Sequence, residues 1–258
     1  MRPARGLLAE GGPTTVVEPV PTRDHTERML RAAGATVRTS PGEVEVRPAE
    51  RLDPLRLTVP GDFSSAAPFL VAATLLPGSR LRISGVCVNP TRTGLMAVLE
   101  RMGARISLYN RTASGGEPVA DIEVRQAELV ATEVEPELVP SLIDELPLIV
   151  LVASFARGTT VIRGAGELRV KESDRIATVV DALRTVGAHV KALDDGFEVT
   201  GVPHRLRGGR IDAAGDHRIA MLGAVAGVCS QQGVVIEGAE ALAVSFPDFA
   251  ERLASVSS

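Results

Sequence analysis

PLIVLVASFARGTTVIRG, residues 147–164, joins an apolar run of helix length to a β-branched run of strand length, with Gly158 between them. The apolar part has no polar face and is too short to cross a bilayer, so it is expected as a buried helix. The TTVI segment, closed by Gly164, is expected as a strand. The same order recurs at 68–85, PFLVAATLLPGSRLRISG, and at 219–238, IAMLGAVAGVCSQQGVVIEG. An aspartate precedes each copy: Asp62, Asp144 and Asp216. Each continues into a loop and an amphipathic helix; two then reach Gly-Ala and a strand, at 99–108 and 183–193. The third stops at SFPDFAERLASV, 245–256, without a final strand.

Upstream, 6–19 and 22–37 reproduce the back half of a further copy. Repeats of this kind bury their apolar faces only against neighbouring units. Alternating strands and helices imply an α/β or α+β layered domain, with one helix set buried and the other amphipathic. A boundary is expected near PAERLDPLRLTV, 48–59, where proline, charge and a new strand meet. A chain that opens part-way through a unit reads as the C-terminal part of a longer protein.

The 258 residues are 45% hydrophobic and 23% charged, which fits a soluble globular protein able to bury a core. Aromatic residues make up 3%, tryptophan is absent and the net charge is −4, which argues against nucleic-acid binding through a basic, aromatic face. Cys87 and Cys229 lie far apart in apolar contexts and are expected as buried thiols in a reducing compartment. The opening residues lack an apolar core and cleavage site of a secretion signal, so the cytoplasm is the expected compartment.

ELRVKESDR, 167–175, stands before the amphipathic run IATVVDALRTVGA. Helical spacing of Ile176, Val179, Val180, Leu183 and Val186 predicts that the charged stretch supplies the first helical turn. Lys171 and Arg175 there oppose the helix dipole, which favours acids at that end. Arg23, Arg92 and Arg218 also stand at expected helix starts. Singly, each reads as a solvated cation. Together, cations and helix N-termini form a site for phosphate or carboxylate.

Asp144 reads either as an N-cap of the helix that follows or as an acid–base group. Asp62 and Asp216 read as caps. Glu172 reads either as a first-turn acid pairing with Arg175 or as a carboxylate whose protonation is set by a cationic pocket. His25 and His217 adjoin helix starts, whereas His189 and His204 read as structural or exposed. No phosphate loop, dinucleotide fingerprint, nucleophile elbow or zinc spacing is present in the sequence.

LRVKESDR, DHRIAM, SFPDF, PGDFSSAAPFLVAA, NPTRTG and TRDHTERML together resemble the 5-enolpyruvylshikimate-3-phosphate synthase family, over essentially the whole chain. RVKESDR is the most specific of these, because the sister UDP-N-acetylglucosamine enolpyruvyl transferases share the fold without it. The resemblance implies an enolpyruvyl transferase-like inside-out α/β barrel domain built from βαβαββ repeats, here truncated at the N-terminus. Residues 1–56 would be the last unit of the N-terminal-half domain, and 57–258 most of the C-terminal one.

It further implies transfer of the carboxyvinyl group of phosphoenolpyruvate to the 5-hydroxyl of shikimate 3-phosphate, releasing phosphate without metal or organic cofactor. Matched by motif, Arg23 would contact the phosphate of shikimate 3-phosphate and Lys171 would sit near its 5-hydroxyl. Arg175 and Arg218 would clamp phosphoenolpyruvate. Asp144 would take the hydroxyl proton, and Glu172 is the candidate donor to the methylene carbon. Val244 stands where some members carry a lysine. The implied partners are these small molecules, with no nucleic acid or membrane. Full-length members are usually monomers, and a cut domain face can self-associate. Transfer to a UDP-sugar, and a non-catalytic fragment that complements a separate chain, remain the alternative readings. The chain alone is expected to be inactive because half the clamp is absent.

Overall fold

The computed structural model describes residues 5–9, 11–202 and 204–256. It begins with a small unit: strand β1 (Thr14–Val17), helix α1 (His25–Ala32), and strands β2 (Val37–Ser40) and β3 (Glu43–Val46). β3 returns between the other two, antiparallel to both, with Val44 opposite Val16 and Val46 opposite Val37. Leu30, Ala35, Val37, Val44 and Val46 make a core of their own, separate from the rest.

The expected strand within 48–59 does not form: residues 51–60 carry no regular element. Pro48, Pro54 and Pro60 remove amide donors there and fix the backbone locally. Just after it, Gly61 makes an isolated bridge to Val86. The segment is tacked down by single bonds, Asp53 N–H to the Ala33 carbonyl at 2.9 Å and Ser114 Oγ to the Thr58 carbonyl at 2.6 Å.

The repeat is realised beyond it. First come α2 (Phe63–Leu75), β4 (Arg80–Cys87), α3 (Gly94–Arg101), β5 (Arg105–Ser114) and β6 (Glu117–Arg125). The second copy is β7 (Glu133–Val134), α4 (Leu146–Ala153), β8 (Thr159–Ile162), α5 (Arg175–Thr185), β9 (His189–Leu193) and β10 (Gly196–Thr200). The third is β11 (Gly209–Asp212), α6 (His217–Cys229), β12 (Val234–Glu237) and α7 (Phe249–Val256). Strand order is β4-β6-β5 in one sheet, β7-β8-β10-β9 in the next and β11-β12 in the last. In the two fuller copies, as in the small unit, the last strand of the unit inserts between its predecessors.

The apolar helices α2, α4 and α6 pack on one another, and every residue of α4 is buried. The sheets lie outside them and remain separate among the described residues, so no closed barrel is present. Helix α5 is amphipathic as its spacing predicts: Ile176, Val179, Val180 and Leu183 are buried against this core. No helix among the described residues is long and apolar enough to cross a membrane.

The small unit touches the larger body through α1 and the β5–β6 hairpin. Gly116, at the hairpin tip with φ +85°, has its missing Cβ position 2.8 Å from the Arg28 carbonyl oxygen. Only glycine fits both that backbone and that approach.

Candidate active site

Helix starts from different units meet at Asp144. Its carboxylate pairs with Arg23, just before α1, and lies 3.5 Å from Arg92 Nη1, two residues before α3. Arg175 Nη1, from the first residue of α5, lies 3.8 Å away, and Arg218 Nη2, in the first turn of α6, 3.5 Å away. Asp144 is therefore no N-cap. Helix α4 begins after Glu145, and its N-terminus receives no side-chain cap.

Asp216 caps α6 as expected, accepting the Arg218 N–H at 2.9 Å. It also accepts Arg175 Nε at 2.7 Å, Arg175 Nη2 at 3.2 Å and Ser173 Oγ at 3.1 Å. Asp62 caps α2 through the Ser65 N–H at 2.8 Å. Glu172 accepts Arg175 Nη2 at 2.6 Å while remaining half exposed, so it joins the cluster through that arginine.

Lys171 does not stand in the helical turn expected for it. Asp174 caps α5 through the N–H groups of Ile176 and Ala177, each at 3.1 Å, which starts the helix at Arg175. Lys171 instead follows a 3-10 turn (Gly166–Val170) in extended backbone, and its ammonium pairs with Glu167. Arg175 keeps its helix-start position, with Asp216, Glu172 and Asp144 offsetting the unfavourable dipole.

Three further side chains in the cluster carry no site role in the sequence reading. Arg92 is 6% exposed and donates through Nη2 to Ser64 Oγ at 2.5 Å. Ser64 Oγ donates to Glu145 Oε1, also at 2.5 Å. Glu145 is fully buried, 3.4 Å from Arg218 Nη1. The position of Arg92 at a helix start was a usable signal. Nothing local distinguished Glu145 from a first-turn acid.

Burial works to raise the Asp144 pKa, but the charge of Arg218, the hydrogen bond from Arg23 and the charge of Arg92 outweigh it and hold the carboxyl below its ordinary value. Asp216 is likewise held low: burial is overcome by Arg175 and the Arg218 amide. Glu145 goes the other way, pushed up by burial that Ser64, Arg92 and Arg218 do not offset. Burial, then the charge of Arg218, lowers His217.

A second polar group ties the small unit to the larger body beside Arg23. Asn89, fully buried, donates through Nδ2 to Asp24 Oδ1 at 2.7 Å and to Glu117 Oε2 at 2.9 Å. His25 Nδ1 lies 2.8 Å from Glu117 Oε1, and Arg28 Nε donates to Asp24 at 2.8 Å. His189 and His204 are exposed, as is Val244. Both cysteines are free; Cys229 is buried and its thiol is pushed up to about 12 by burial, whereas Cys87 is half-buried. Among the described residues no group of three or more histidine, cysteine or acidic side chains is arranged to hold a metal ion.

An arrangement of paired arginines, Arg92 and Arg175 buried and Arg23 open to solvent, around an ionised carboxylate can bind oxyanions and accept a proton. The sequence model of the family described as EPSP synthase (3-phosphoshikimate 1-carboxyvinyltransferase) matches residues 4–253. A 3-phosphoshikimate 1-carboxyvinyltransferase from Geobacter sp. (strain M21) is 52% identical over 251 residues, covering 97% of this chain and 58% of its own. One from Desulforudis audaxviator is 50% identical with the same coverage. The chain thus spans about 58% of the length of the curated relatives it matches. Among solved structures, an EPSP synthase from Acinetobacter baumannii superposes with a TM-score of 0.91 at 41% identity, covering 97% of this chain and 58% of that one. The enolpyruvyl transferase NikO from Streptomyces tendae, at 22% identity and TM-score 0.76 over 97% of this chain and 56% of its own, shares the fold. With the repeat, the motifs and the match over nearly its whole length in agreement, the chain belongs to the EPSP synthase family.

Proposed function

We propose that this chain contributes to the transfer of the carboxyvinyl group of phosphoenolpyruvate to the 5-hydroxyl of shikimate 3-phosphate, with release of inorganic phosphate. The observation that carries the reading is the convergence of Arg23, Arg92, Arg175 and Arg218 on Asp144 in a member of this family. Both substrates carry phosphate and carboxylate, the anions that such an arginine group binds.

In this reading Arg23 meets the phosphate of shikimate 3-phosphate, and Arg175 and Arg218 clamp phosphoenolpyruvate. Lys171 lies near the 5-hydroxyl once its pairing with Glu167 is exchanged for substrate. Asp144 accepts the hydroxyl proton as the oxygen bonds to the enol carbon, while Glu172 donates a proton to the methylene carbon. Elimination then breaks the carbon–oxygen bond to phosphate, and a methyl proton returns to the Glu172 carboxylate as the double bond is restored. Arg218, Arg23 and Arg92 make Asp144 a weak base. Substrate anions that draw those guanidinium groups onto themselves raise its proton affinity at the moment it is needed.

No metal or organic cofactor enters this scheme, and the partners are small molecules in the cytoplasm, with neither nucleic acid nor membrane. Residues 1–56 and 57–258 are assigned to different domains, a division supported by the two separate cores.

The test is phosphate release from phosphoenolpyruvate that depends on shikimate 3-phosphate. It is run on the chain alone and on a chimera in which it replaces the matching region of the Geobacter relative. Turnover is expected in the chimera only. A folded chimera without turnover overturns the reading, and turnover by the 258 residues alone overturns the expected need for the remaining length.

A further inference from the structure

Glu145 follows Asp144 in sequence but faces the protein interior and is fully buried. Its Oε1 accepts Ser64 Oγ at 2.5 Å and lies 3.4 Å from Arg218 Nη1 and 3.9 Å from Arg92 Nη2. The Ser64 hydroxyl is a relay, because it accepts from Arg92 Nη2 while donating to Glu145. Glu145 Oε2 is buried without a hydrogen-bond partner among the described residues. A half-satisfied buried carboxyl costs the fold stability, so folding alone does not account for it.

Its geometry does have a use for Arg218. One nitrogen, Nη1, is held between the Asp144 carbonyl at 3.1 Å and Glu145. The other, Nη2, is left toward the Asp144 carboxylate. A guanidinium held along one edge presents its other edge in a fixed plane. Arg92 is fixed in the same manner through Ser64.

We propose that Glu145, with Ser64, is a positioning residue for the transfer read above, fixing the guanidinium planes of Arg92 and Arg218 so that Arg218 meets phosphoenolpyruvate in register with Asp144. The inference rests on that reaction. It adds a residue that acts only through its neighbours and has no contact with substrate.

Glu145→Gln in the active chimera keeps the shape and the Ser64 bond but loses the charge. The expected result is a rise of about tenfold in KM for phosphoenolpyruvate, with KM for shikimate 3-phosphate within about twofold of the parent. Its melting temperature should match or exceed the parent's. Glu145→Asp, which restores charge without reach, should recover only part of the affinity. An unchanged KM for phosphoenolpyruvate, or an equal rise for both substrates, overturns the proposal. If Glu145→Gln fails to fold, Ser64→Ala decides by the same split in KM. An inactive parent chimera overturns the reaction itself, and this inference with it; an active parent with an unaltered split overturns the inference alone.

Discussion

Arg175 and Asp216 form a two-bond pair, Nε to Oδ2 at 2.7 Å and Nη2 to Oδ1 at 3.2 Å, and neither side chain is more than 1% exposed. The pair locks the start of α5 to the start of α6. Removing Asp216 leaves a guanidinium buried with its main partner gone. Asp216→Ala is therefore expected to lower stability by about 3–5 kcal/mol, measured by chemical denaturation.

The same pair gives stability a pH dependence. The Asp216 carboxyl is held below its ordinary value of 3.8, so its contribution is complete above that value and is lost as pH falls through the lower, folded-state one. Asp144 acts in the same direction. Stability measured downward from neutral pH should decline below about 4, and Asp216→Asn should be less stable at neutrality with a shallower decline.

Arg218→Ala should weaken phosphoenolpyruvate binding about ten- to a hundredfold, the worth of a lost charge-assisted contact, while lowering the melting temperature by only a few degrees. Titration of the chimera with phosphoenolpyruvate checks it, and unchanged affinity removes Arg218 from the site. Asp144→Asn, which removes the acceptor of the hydroxyl proton, should reduce kcat about a hundredfold or more, measured as phosphate release by the chimera.

Gly116→Ala places a methyl group against the Arg28 carbonyl at a backbone angle that alanine resists. Faster hydrogen exchange in α1, with α2, α4 and α6 unaffected, is the expected outcome. An unchanged exchange pattern would show that the hairpin tip does not hold the small unit.

Cys229, with its thiol pushed up to about 12 in a buried site, should resist a thiol reagent until the protein unfolds. Cys87, half-buried, should react first. Mass analysis after brief labelling distinguishes the two.

The repeat was legible because each unit repeats a local rule: an apolar run for a buried helix, glycine, then a β-branched strand. Helices α2, α4 and α6 followed from that pattern alone. The strand expected within 48–59 does not form because Pro48, Pro54 and Pro60 deny it a ladder. Lys171 was misplaced for a related reason: Asp174, three residues later, takes the cap and starts the helix there. Arg23, Arg175 and Arg218 could be named from motifs, but their meeting at one carboxylate depends on contacts between residues up to 121 positions apart. Glu145 stayed hidden because its partners, Ser64 of α2 and Arg92 ahead of α3, are distant in sequence.

The two separate cores have a mechanical consequence. Arg23 rides on the small body and Asp144 on the large one, and between them run a proline-rich strap and a few polar bonds centred on Asn89. Swinging the small body outward would withdraw one cation from the acid without melting either hydrophobic interior.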